Sequence, residues 1–401
     1  MTDITATLER LRRDGLYRQL RTVDSAPGPW VTVGGRRVLL LCSNDYLGLA
    51  GNAAVRAAAA QAAERWGAGA GASRLVSGNM TIHTQLEHQL AEFKGHEACV
   101  LFGSGYLANT GVIAALAGSD DVILSDALNH ASIIEGCRQS RAETIVYRHS
   151  DLDSLAVGLK RAAGRHAVIV TDAVFSMDGD LAPLAEIVDL AQRHGARVVV
   201  DEAHATGVVG PGGRGLVAAL GLEQAVDVVV GTLSKALGSY GAFACCDQTM
   251  AEFLVNRART LIFSTALPPP AVAAAGAALQ ILRDEPVIVE RLRSNSCLLR
   301  EELDARGFEV PAAETPIIPL IVGDPRAATD LCEAALQAGV FAQAIRPPTV
   351  PDGTSRLRLV AMATHSAEDL RTAATRLGVA AGQAVATDRL RGHPGQPLTS
   401  Y

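Results

Sequence analysis

The sequence predicts an α/β fold in which a large domain with a mainly parallel sheet is joined to a smaller α+β domain. Between residues 98 and 230, short apolar runs rich in β-branched residues alternate with helical segments, as in successive βαβ units. After about residue 285 the pattern changes to helices with short strands. A chain of 401 residues is also long enough for two domains and a large core.

The segment before this series is predicted to be mainly helical. Residues 4–22 and the Ala-rich residues 53–65 have helical spacing, and residues 38–41 are predicted to form a strand. Residues 67–78 contain four glycines and would let the backbone approach a ligand or a second chain. Thr81–Lys94 follows as an amphipathic helix.

The alternating series and its flanks define the predicted organisation. Strands are expected at residues 98–102, 122–124, 144–147, 167–171, 198–200 and 228–230, with helices at 106–117, from about 131, at 151–163 and at 184–194. We place the large domain at 45–275, with 1–44 joining a small domain at 276–386 and a flexible tail, rich in Pro, Gly and Arg, at 387–401.

Composition argues against several classes of protein. The net charge of −6 gives no reason to expect nucleic acid or an anionic membrane as a partner. No apolar stretch approaches the length of a membrane span, and we expect no signal or transit peptide. Seven cysteines without metal spacing, most of them in apolar runs, predict a reducing cytoplasm and no metal site.

Lys235 is the first residue that indicates chemistry. It lies in the turn at residues 231–238 (GTLSKALG), directly after an apolar run, and it is one of only three lysines against 33 arginines. Arg cannot lose its proton near neutral pH, whereas a Lys amine can, and can therefore form a Schiff base. An isolated loop lysine is usually a solvated surface residue, so the hypothesis depends on a second cluster.

That cluster is Asp201-Glu202-Ala203-His204, at the end of a β-branched run. A carboxylate at the C-terminal end of a strand in an α/β sheet lies where ligands bind. A Schiff-base lysine and a strand-end aspartate together meet the needs of pyridoxal 5′-phosphate (PLP), since the amine holds the aldehyde and the carboxylate keeps the ring nitrogen protonated. For Asp201 alone, the alternative is a helix N-cap.

These two clusters and the segment Ser43-Asn44-Asp45-Tyr46-Leu47-Gly48 resemble the motifs of fold-type I (aspartate aminotransferase-like) PLP enzymes, and among them the α-oxoamine synthases. The resemblance covers nearly the whole chain. It implies a homodimer with shared active sites and a decarboxylative condensation of an amino acid with an acyl thioester. The branch that it is most similar to uses L-alanine and pimeloyl-CoA or a pimeloyl carrier protein, while glycine or serine with another acyl-CoA stays open.

The resemblance also implies roles for individual residues. Lys235 would hold PLP and act as the base, Asp201 would pair with the ring nitrogen, and His130 would stack on the ring. His204 would contact the ring's 3′-oxygen with Ser176 nearby. The phosphate would be bound by Ser104, Gly105, Tyr106 and Thr232, with Ser264 and Thr265 reaching the phosphate of the partner subunit.

The substrate residues implied by the resemblance are mainly arginines. Arg358 would bind the amino acid's carboxylate, with Asn44 as a helper and Thr349 in a nearby loop. Arg18 would lie near the distal end of the acyl group, although Arg21 could replace it. Each of these arginines could equally be a solvated surface charge.

Two other classes of function stay open at this point. Residues 103–108 (GSGYLA) follow a strand and open a helix in the G-x-G-x-x-A form, and Asp126 ends the next strand, as in an NAD dehydrogenase. That hypothesis leaves Asp201 and Lys235 unexplained, and a glycine loop at a helix N-terminus binds any phosphate. A non-catalytic partner subunit is the third possibility, but such a subunit would be expected to have lost Lys235.

Overall fold

The computed structural model describes residues 3–390, with side chains described to residue 383. The helices are α1 (Ile4–Arg13), α2 (Ala53–Trp66), α3 (Thr81–Lys94), α4 (Gly105–Leu116), α5 (Ala131–Ser140), α6 (Leu152–Arg161), α7 (Leu184–His194), α8 (Leu216–Ala219), α9 (Gln248–Arg257), α10 (Arg259–Ile262), α11 (Pro269–Asp284), α12 (Val287–Asp304), α13 (Pro325–Gln337) and α14 (Ala367–Leu390). The strands are β1 (Trp30–Val33), β2 (Arg36–Leu40), β3 (Ala98–Phe102), β4 (Val122–Asp126), β5 (Glu143–Tyr147), β6 (Ala167–Asp172), β7 (Arg197–Asp201), β8 (Val228–Thr232), β9 (Ala242–Cys246), β10 (Ile317–Gly323), β11 (Val340–Phe341), β12 (Gln343–Ile345) and β13 (Ser355–Val360). Across the described residues, no helix combines the length and apolar character needed to cross a membrane.

The larger of two compact units, Leu49–Ser176 with Asp180–Val289, is built on a seven-stranded sheet. Its strand order is β3-β9-β8-β7-β6-β4-β5. The pairs β8–β7, β7–β6, β6–β4 and β4–β5 are parallel, while β9 is antiparallel to both of its neighbours. The predicted α/β fold with a mainly parallel sheet is therefore confirmed.

The central strands are buried along their whole length. Every residue of β4, β6 and β8 is buried. Before the polar residues at their carboxyl ends, these strands are continuous apolar runs instead of alternating ones, as expected for a parallel sheet. Strand β9 was not predicted, because its residues Ala-Phe-Ala-Cys-Cys include no β-branched side chain. It lies second in the order, between the edge strand β3 and β8.

The N-terminal helix is shorter than predicted. Helix α1 ends at Arg13, and Gly15 then adopts a left-handed φ of 67° that an L-residue rarely adopts. The strand β1, which was not predicted, pairs antiparallel with β2. The predicted helix over residues 4–22 is thus wrong beyond residue 13.

Among the described residues, the smaller unit consists of residues 3–48, Met177–Gly179 and 290–390. It contains two three-stranded sheets, β1-β2-β11 and β10-β13-β12, and its core includes Leu299, Ile318 and Leu357.

The borders of the two units differ from the predicted domain limits. The units change at residues 48/49 and 289/290, whereas the predicted limits lay at 44/45 and 275/276. The second predicted limit would divide α11, which is one continuous helix of the larger unit. Residues 387–390 of the predicted tail belong to α14, and the rest of that tail lies outside the described residues.

Candidate active site

Asp201 and Lys235 follow two neighbouring parallel strands. Asp201 is the last residue of β7, and it lies opposite Val230 in β8. Lys235 comes three residues after β8 ends, in a half-buried position. Since both residues act electrostatically on His130, the structure brings these three predicted site residues together at the carboxyl edge of the sheet, where α/β folds bind ligands.

The Asp201 carboxylate is buried and held by two donors. The Asn109 side chain donates from Nδ2 to Asp201 Oδ2 over 2.6 Å, and the Ala203 backbone N–H donates to Oδ1 over 2.7 Å. The second bond is a local turn contact. No helix of the described residues begins between Asp201 and Pro211, so Asp201 is not a helix N-cap. Donors to both oxygens also fix the carboxylate in one orientation.

His130 begins helix α5 and caps it with its ring. Ring atom Nδ1 accepts from the Ser132 backbone N–H at 3.2 Å and lies 2.7 Å from Ser132 Oγ. Burial of the ring nitrogens lowers the pKa of His130, although the residue as a whole is exposed. The imidazole is therefore neutral at neutral pH.

Asp172 is a site residue that the sequence analysis missed. It ends β6 directly beside Asp201, and its Oδ2 accepts from the His130 backbone N–H at 2.7 Å. Burial, together with the negative charge of Asp201, raises the pKa of Asp172 well above its usual value. The signal that identified Asp201, an acid at the end of an apolar strand, is present at Asp172 as well.

The N-terminus of α4 provides an anion site in the same unit. Ser104 is the N-cap residue, and its Oγ accepts from the Leu107 N–H at 3.2 Å. A Cβ built on Gly105 would meet no atom within 4 Å, so the space in front of the first turn is open. The N–H groups of Gly105 and of the exposed Tyr106, which have no acceptor among the described residues, suit a phosphate.

Thr232 holds the turn that carries Lys235. Its hydroxyl donates to the Gly241 carbonyl at 3.0 Å and accepts from the Ser234 N–H at 3.1 Å. Gly238 closes the turn with a φ of 58°, and a Cβ there would lie 2.2 Å from the Ala50 nitrogen. The structure thus gives Thr232 a role in shaping the turn, and its predicted contact with phosphate stays a prediction.

Ser264 and Thr265 lie together beside the β3–α4 connection. They line a small cavity of about 10 Å³ that is also lined by Gly103 and Arg74. Thr265 is exposed in the single chain, as a residue that serves a partner subunit would be. Their contact with the phosphate of a partner subunit stays a prediction.

The remaining predicted cofactor residues, Ser176 and His204, lie in connections after two strands of the same edge. His204 is buried three residues after Asp201. Ser176 is half-buried in the turn after β6, where the Phe175 N–H donates to the Asp180 carbonyl at 3.0 Å. Their contacts with a cofactor stay predictions.

Asp126, the acid expected in the dehydrogenase hypothesis, is committed to other partners. Its Oδ1 accepts from the Leu128 N–H at 2.8 Å and lies 3.0 Å from His149 Nδ1, and its Oδ2 accepts from the Ser150 N–H at 2.9 Å. Asp126 is also buried, so its oxygens have no room for a ribose hydroxyl. The structure therefore argues against a dinucleotide site at residues 103–126.

His149 connects the turn after β6 with the end of β4 through hydrogen bonds to Asp180 and Asp126. Its Nε2 lies 2.8 Å from Asp180 Oδ2, and the edge of its ring packs on Phe175 at a centroid distance of 4.4 Å. Hydrogen bonds to Asp126 and Asp180 raise the pKa of His149 from 6.5 to about 10.

We expect His149→Gln to change how stability depends on pH. A raised pKa in the folded state means that the stabilisation is complete below pH 6.5 and is lost as the pH rises through about 10. Between these limits the wild type should lose roughly 1–2 kcal/mol more unfolding free energy than the variant, after allowing for solvent screening. Urea unfolding at several pH values measures this, and parallel curves for the two proteins would contradict it.

In the smaller unit, the structure brings Arg358 and Asn44 together. Arg358, buried in β13, donates from Nη1 to Asn44 Oδ1 at 3.0 Å and from Nη2 to the Tyr46 hydroxyl at 3.3 Å. Arg356, two residues earlier on the same face of the strand, instead forms an ion pair with Asp178. The bonds to Asn44 and Tyr46 hold the Arg358 guanidinium in one orientation.

Arg18 and Thr349 also belong to one region of the smaller unit. Arg18 is exposed and donates to the Pro347 carbonyl at 3.2 Å. Thr349 is exposed two residues further along the same loop. Arg21, the alternative to Arg18, forms an ion pair with Glu333 beside a cavity of about 360 Å³.

Comparison with known sequences gives the class of protein. A sequence model of the family described as aminotransferase class I and II matches residues 36–377. The chain belongs to the aminotransferase class I and II family, and the predicted resemblance to PLP-dependent α-oxoamine synthases is confirmed.

Individual relatives narrow the comparison. The 8-amino-7-oxononanoate synthase of Anaeromyxobacter dehalogenans is 53% identical over 364 residues, which cover 91% of this chain and 92% of the relative. That of Geobacter sulfurreducens is 49% identical over 375 residues, covering 92% and 95%. A solved serine palmitoyltransferase from S. paucimobilis with bound PLP and myriocin has a TM-score of 0.91 at 33% identity, covering 96% of this chain and 98% of its own. A solved 8-amino-7-oxononanoate synthase from Francisella tularensis has a TM-score of 0.74 at 26% identity, covering 87% and 99%.

Proposed function

We propose that this chain is an 8-amino-7-oxononanoate synthase that uses PLP. It condenses L-alanine with a pimeloyl thioester, either pimeloyl-CoA or a pimeloyl carrier protein, and releases the thiol and the carboxyl group of alanine as CO₂. The observation that carries the chemistry is the placement of Lys235 and Asp201 at the ends of two adjacent parallel strands. The choice of substrates follows the relatives that are 47–53% identical over at least nine-tenths of the chain.

The residues present fit PLP. The cofactor needs an amine for its aldehyde, an anion for its ring nitrogen and N–H donors for its phosphate. Lys235, the doubly held Asp201 carboxylate and the open first turn of α4 at Gly105 offer these groups within the larger unit.

When bound, PLP supplies a ring that accepts the electron pair left at the substrate's Cα. Lys235 would hold the cofactor through its amine, and its Nζ would be the base for the proton on the substrate's Cα. Asp201 would hold the ring nitrogen in its protonated form. His130, neutral because burial lowers its pKa, would lie against the ring without adding a charge, and His204 and Ser176 would bind the 3′-oxygen.

The substrate groups are bound by the residues of the smaller unit. Arg358, oriented by Asn44 and Tyr46, holds the alanine carboxylate until it leaves as CO₂, and Thr349 supports it. Arg18 receives the distal end of the acyl group. An acyl group that ends in a carboxylate suits an arginine better than a plain fatty acyl chain does.

The enzyme is further proposed to act as a homodimer in which Ser264 and Thr265 complete the partner's phosphate site. Exposed apolar side chains support this, since Leu75, Val76 and Phe263 are 56%, 80% and 71% exposed in the single chain. Sedimentation of the purified protein measures its oligomeric state, and a monomer with full activity would exclude shared sites.

We also propose the cytoplasm as the compartment. Within the described part of the chain all seven cysteines are free thiols and five are buried, which suits a reducing environment. Cell fractionation with periplasmic and cytoplasmic markers tests it.

The experiment that tests the function is a matrix of substrates. L-alanine, glycine and L-serine are each combined with pimeloyl-CoA, acetyl-CoA, succinyl-CoA and palmitoyl-CoA, and the release of free CoA thiol is followed. We expect kcat/KM to be highest for L-alanine with pimeloyl-CoA by at least about tenfold, the discrimination that one or two pocket contacts supply. A maximum at any other combination would overturn the proposed substrates while leaving the PLP chemistry in place.

Serine palmitoyltransferase activity is the second candidate, because its solved structures are the better match in shape. A shared backbone does not determine the substrate, and the higher identities belong to the 8-amino-7-oxononanoate synthases. Turnover of L-serine with palmitoyl-CoA in the same matrix decides between the two.

Arg358→Gln should mainly weaken the binding of the amino acid substrate. Losing a charge-assisted contact costs about 1.5–3 kcal/mol, so we expect KM for L-alanine to rise roughly 10- to 100-fold with less change in KM for pimeloyl-CoA. Arg18→Gln is the matched variant and should show the reverse pattern. Steady-state kinetics with each substrate varied in turn measures both, and equal effects of the two variants on both substrates would contradict the assignment.

A further inference from the structure

We propose that Asn109 and Ser132 are positioning residues that join Asp201 to His130 through one hydrogen-bonded chain. This hydrogen-bonded path positions the Asp201 carboxylate for the ring nitrogen of PLP and, together with it, the His130 imidazole for the face of that ring. This inference rests on the proposed use of PLP, and it concerns two residues to which the sequence analysis gave no role.

The geometry forms an unbroken path through the interior of the larger unit. Asn109 Nδ2 lies 2.6 Å from Asp201 Oδ2 and 2.9 Å from Ser132 Oγ, and Ser132 Oγ lies 2.7 Å from His130 Nδ1. Asn109 and Ser132 are 1% and 0% exposed. Water therefore does not compete for these bonds.

The direction of each bond follows from the chemistry of the groups. An ionised Asp201 can only accept, so the NH₂ group of Asn109 must face it, and the opposite placement of the amide would set two oxygens 2.6 Å apart. The second hydrogen of Asn109 Nδ2 goes to Ser132 Oγ. The Ser132 hydroxyl is then left to donate to His130 Nδ1, which also accepts from the Ser132 backbone N–H at 3.2 Å.

This chain of donors fixes the state of the imidazole. Since Nδ1 of His130 accepts, the neutral ring carries its hydrogen on Nε2. Protonating Nδ1 would require the Ser132 hydroxyl to turn away. Burial favours the same neutral state, because it lowers the pKa of His130.

Burying the Asn109 amide costs stability, and this cost indicates that Asn109 has a positioning role. Its Oδ1 is buried and has no hydrogen-bond partner among the described residues, which an apolar side chain of similar size would avoid. Its neighbours in α4 from Ala108 to Ile113 are all buried, so packing alone would favour an apolar residue here. The two bonds from Nδ2 offset that cost.

A glycine in α5 lets the two helices approach closely enough for the contact. A Cβ on Gly136 would lie 3.0 Å from the Asn109 carbonyl oxygen and 3.0 Å from Ile113 Cβ. Without a side chain at this position, the first turn of α5 brings Ser132 within reach of Asn109 in α4. The backbone packing and the side-chain path thus depend on each other.

The test uses three variants of the PLP-loaded enzyme. Asn109→Leu removes the donors to Asp201 and to Ser132. Ser132→Ala removes the hydroxyl that joins Asn109 to His130 but leaves the bond from Asn109 to Asp201. Thr110→Val is the matched control, because among the described residues the Thr110 hydroxyl bonds to the α4 backbone alone. Two quantities are measured: the PLP dissociation constant, and the pH at which the visible absorbance of the Lys235 Schiff base changes. Circular dichroism checks that each variant is folded.

The charged groups that act on His130 are Asp201 and Lys235, and Asp172 beside it is affected by Asp201, Lys235 and Asp126. Asn109→Leu weakens the hold on the Asp201 anion and so lowers the fraction of PLP that is protonated on its ring nitrogen. With less positive charge in the ring, the Schiff-base nitrogen keeps its proton to a higher pH, and we expect the midpoint to rise by about 0.5–1 pH unit. PLP should bind roughly 10- to 100-fold more weakly.

The other variants set the limits of the inference. Thr110→Val should match the wild type in both quantities. Ser132→Ala should keep the wild-type midpoint, but in the ¹⁵N spectrum of histidine-labelled enzyme the wild-type signal of an Nε2-protonated His130 should become a mixture of ring forms. A folded Asn109→Leu enzyme with wild-type midpoint and PLP affinity, or a wild-type His130 protonated on Nδ1, would overturn the inference. A wild type without any visible band would instead overturn the proposed function.

Discussion

Lys235→Ala should abolish turnover and the visible absorbance band of the PLP-loaded protein together. Without the amine, PLP cannot form a Schiff base with the chain, and no other group is assigned to remove the Cα proton. General-base catalysis alone contributes about 10²–10⁴-fold, so with covalent attachment also lost we expect kcat to fall by at least about 10⁴-fold. Absorbance spectra and CoA release measured on the same sample test both effects.

Lys160→Ala is the matched control, since Lys160 is an exposed lysine in the last turn of α6. It should keep the band and the activity. Because the Thr232 hydroxyl and the Gly238 backbone shape the Lys235 turn, Lys235→Ala should remain folded, which circular dichroism checks. A variant that retained the band and more than about one hundredth of kcat would show that a different group carries the chemistry.

Lys94→Met should produce the largest loss of stability. Lys94 and Glu202 form an ion pair with side chains only 1% and 0% exposed, and Lys94 also donates to the Arg214 carbonyl. Removing one partner of a buried pair leaves the other charge uncompensated and costs about 3–5 kcal/mol. Chemical unfolding of the apoprotein measures the change.

A double variant separates the charge from the packing. In Lys94→Met with Glu202→Gln, the amide oxygen can still accept from the Val217 N–H, which now bonds to Glu202 Oε1 at 2.8 Å. Removing the unpaired charge should recover at least about half of the lost free energy. Arg193→Met at the exposed pair with Asp189 should cost no more than about 1 kcal/mol, and a similar cost for Lys94→Met would contradict the account.

The large-unit fold could be predicted because its signals are local. Buried parallel strands appear as continuous β-branched runs, and β3, α3 and α7 were predicted with the bounds that the structure shows. Strand β9 could not be found in this way, because small residues give no strand signal and its place between β3 and β8 is set by long-range pairing.

Part of the candidate site was predictable for the same reason. The carboxyl ends of parallel strands meet at one edge, so Asp201 and Lys235 could be expected to lie together from their positions after two apolar runs. In the sequence, Asn109 lies 92 positions before Asp201 and 23 positions before Ser132. Neither contact has a sequence pattern, although a polar residue inside the apolar helix α4 was a sign that a buried partner was needed.

The central claim is a condensation in which alanine loses its carboxyl group, and L-alanine labelled with ¹³C at that carbon tests it most directly. The wild-type enzyme is supplied with PLP, the labelled alanine and pimeloyl-CoA, and labelled CO₂, free CoA and products are measured by mass spectrometry. We expect one labelled CO₂ for each free CoA and an unlabelled 8-amino-7-oxononanoate. Labelled pyruvate, the outcome of transamination within the same family, or CoA release without labelled CO₂ would contradict the account.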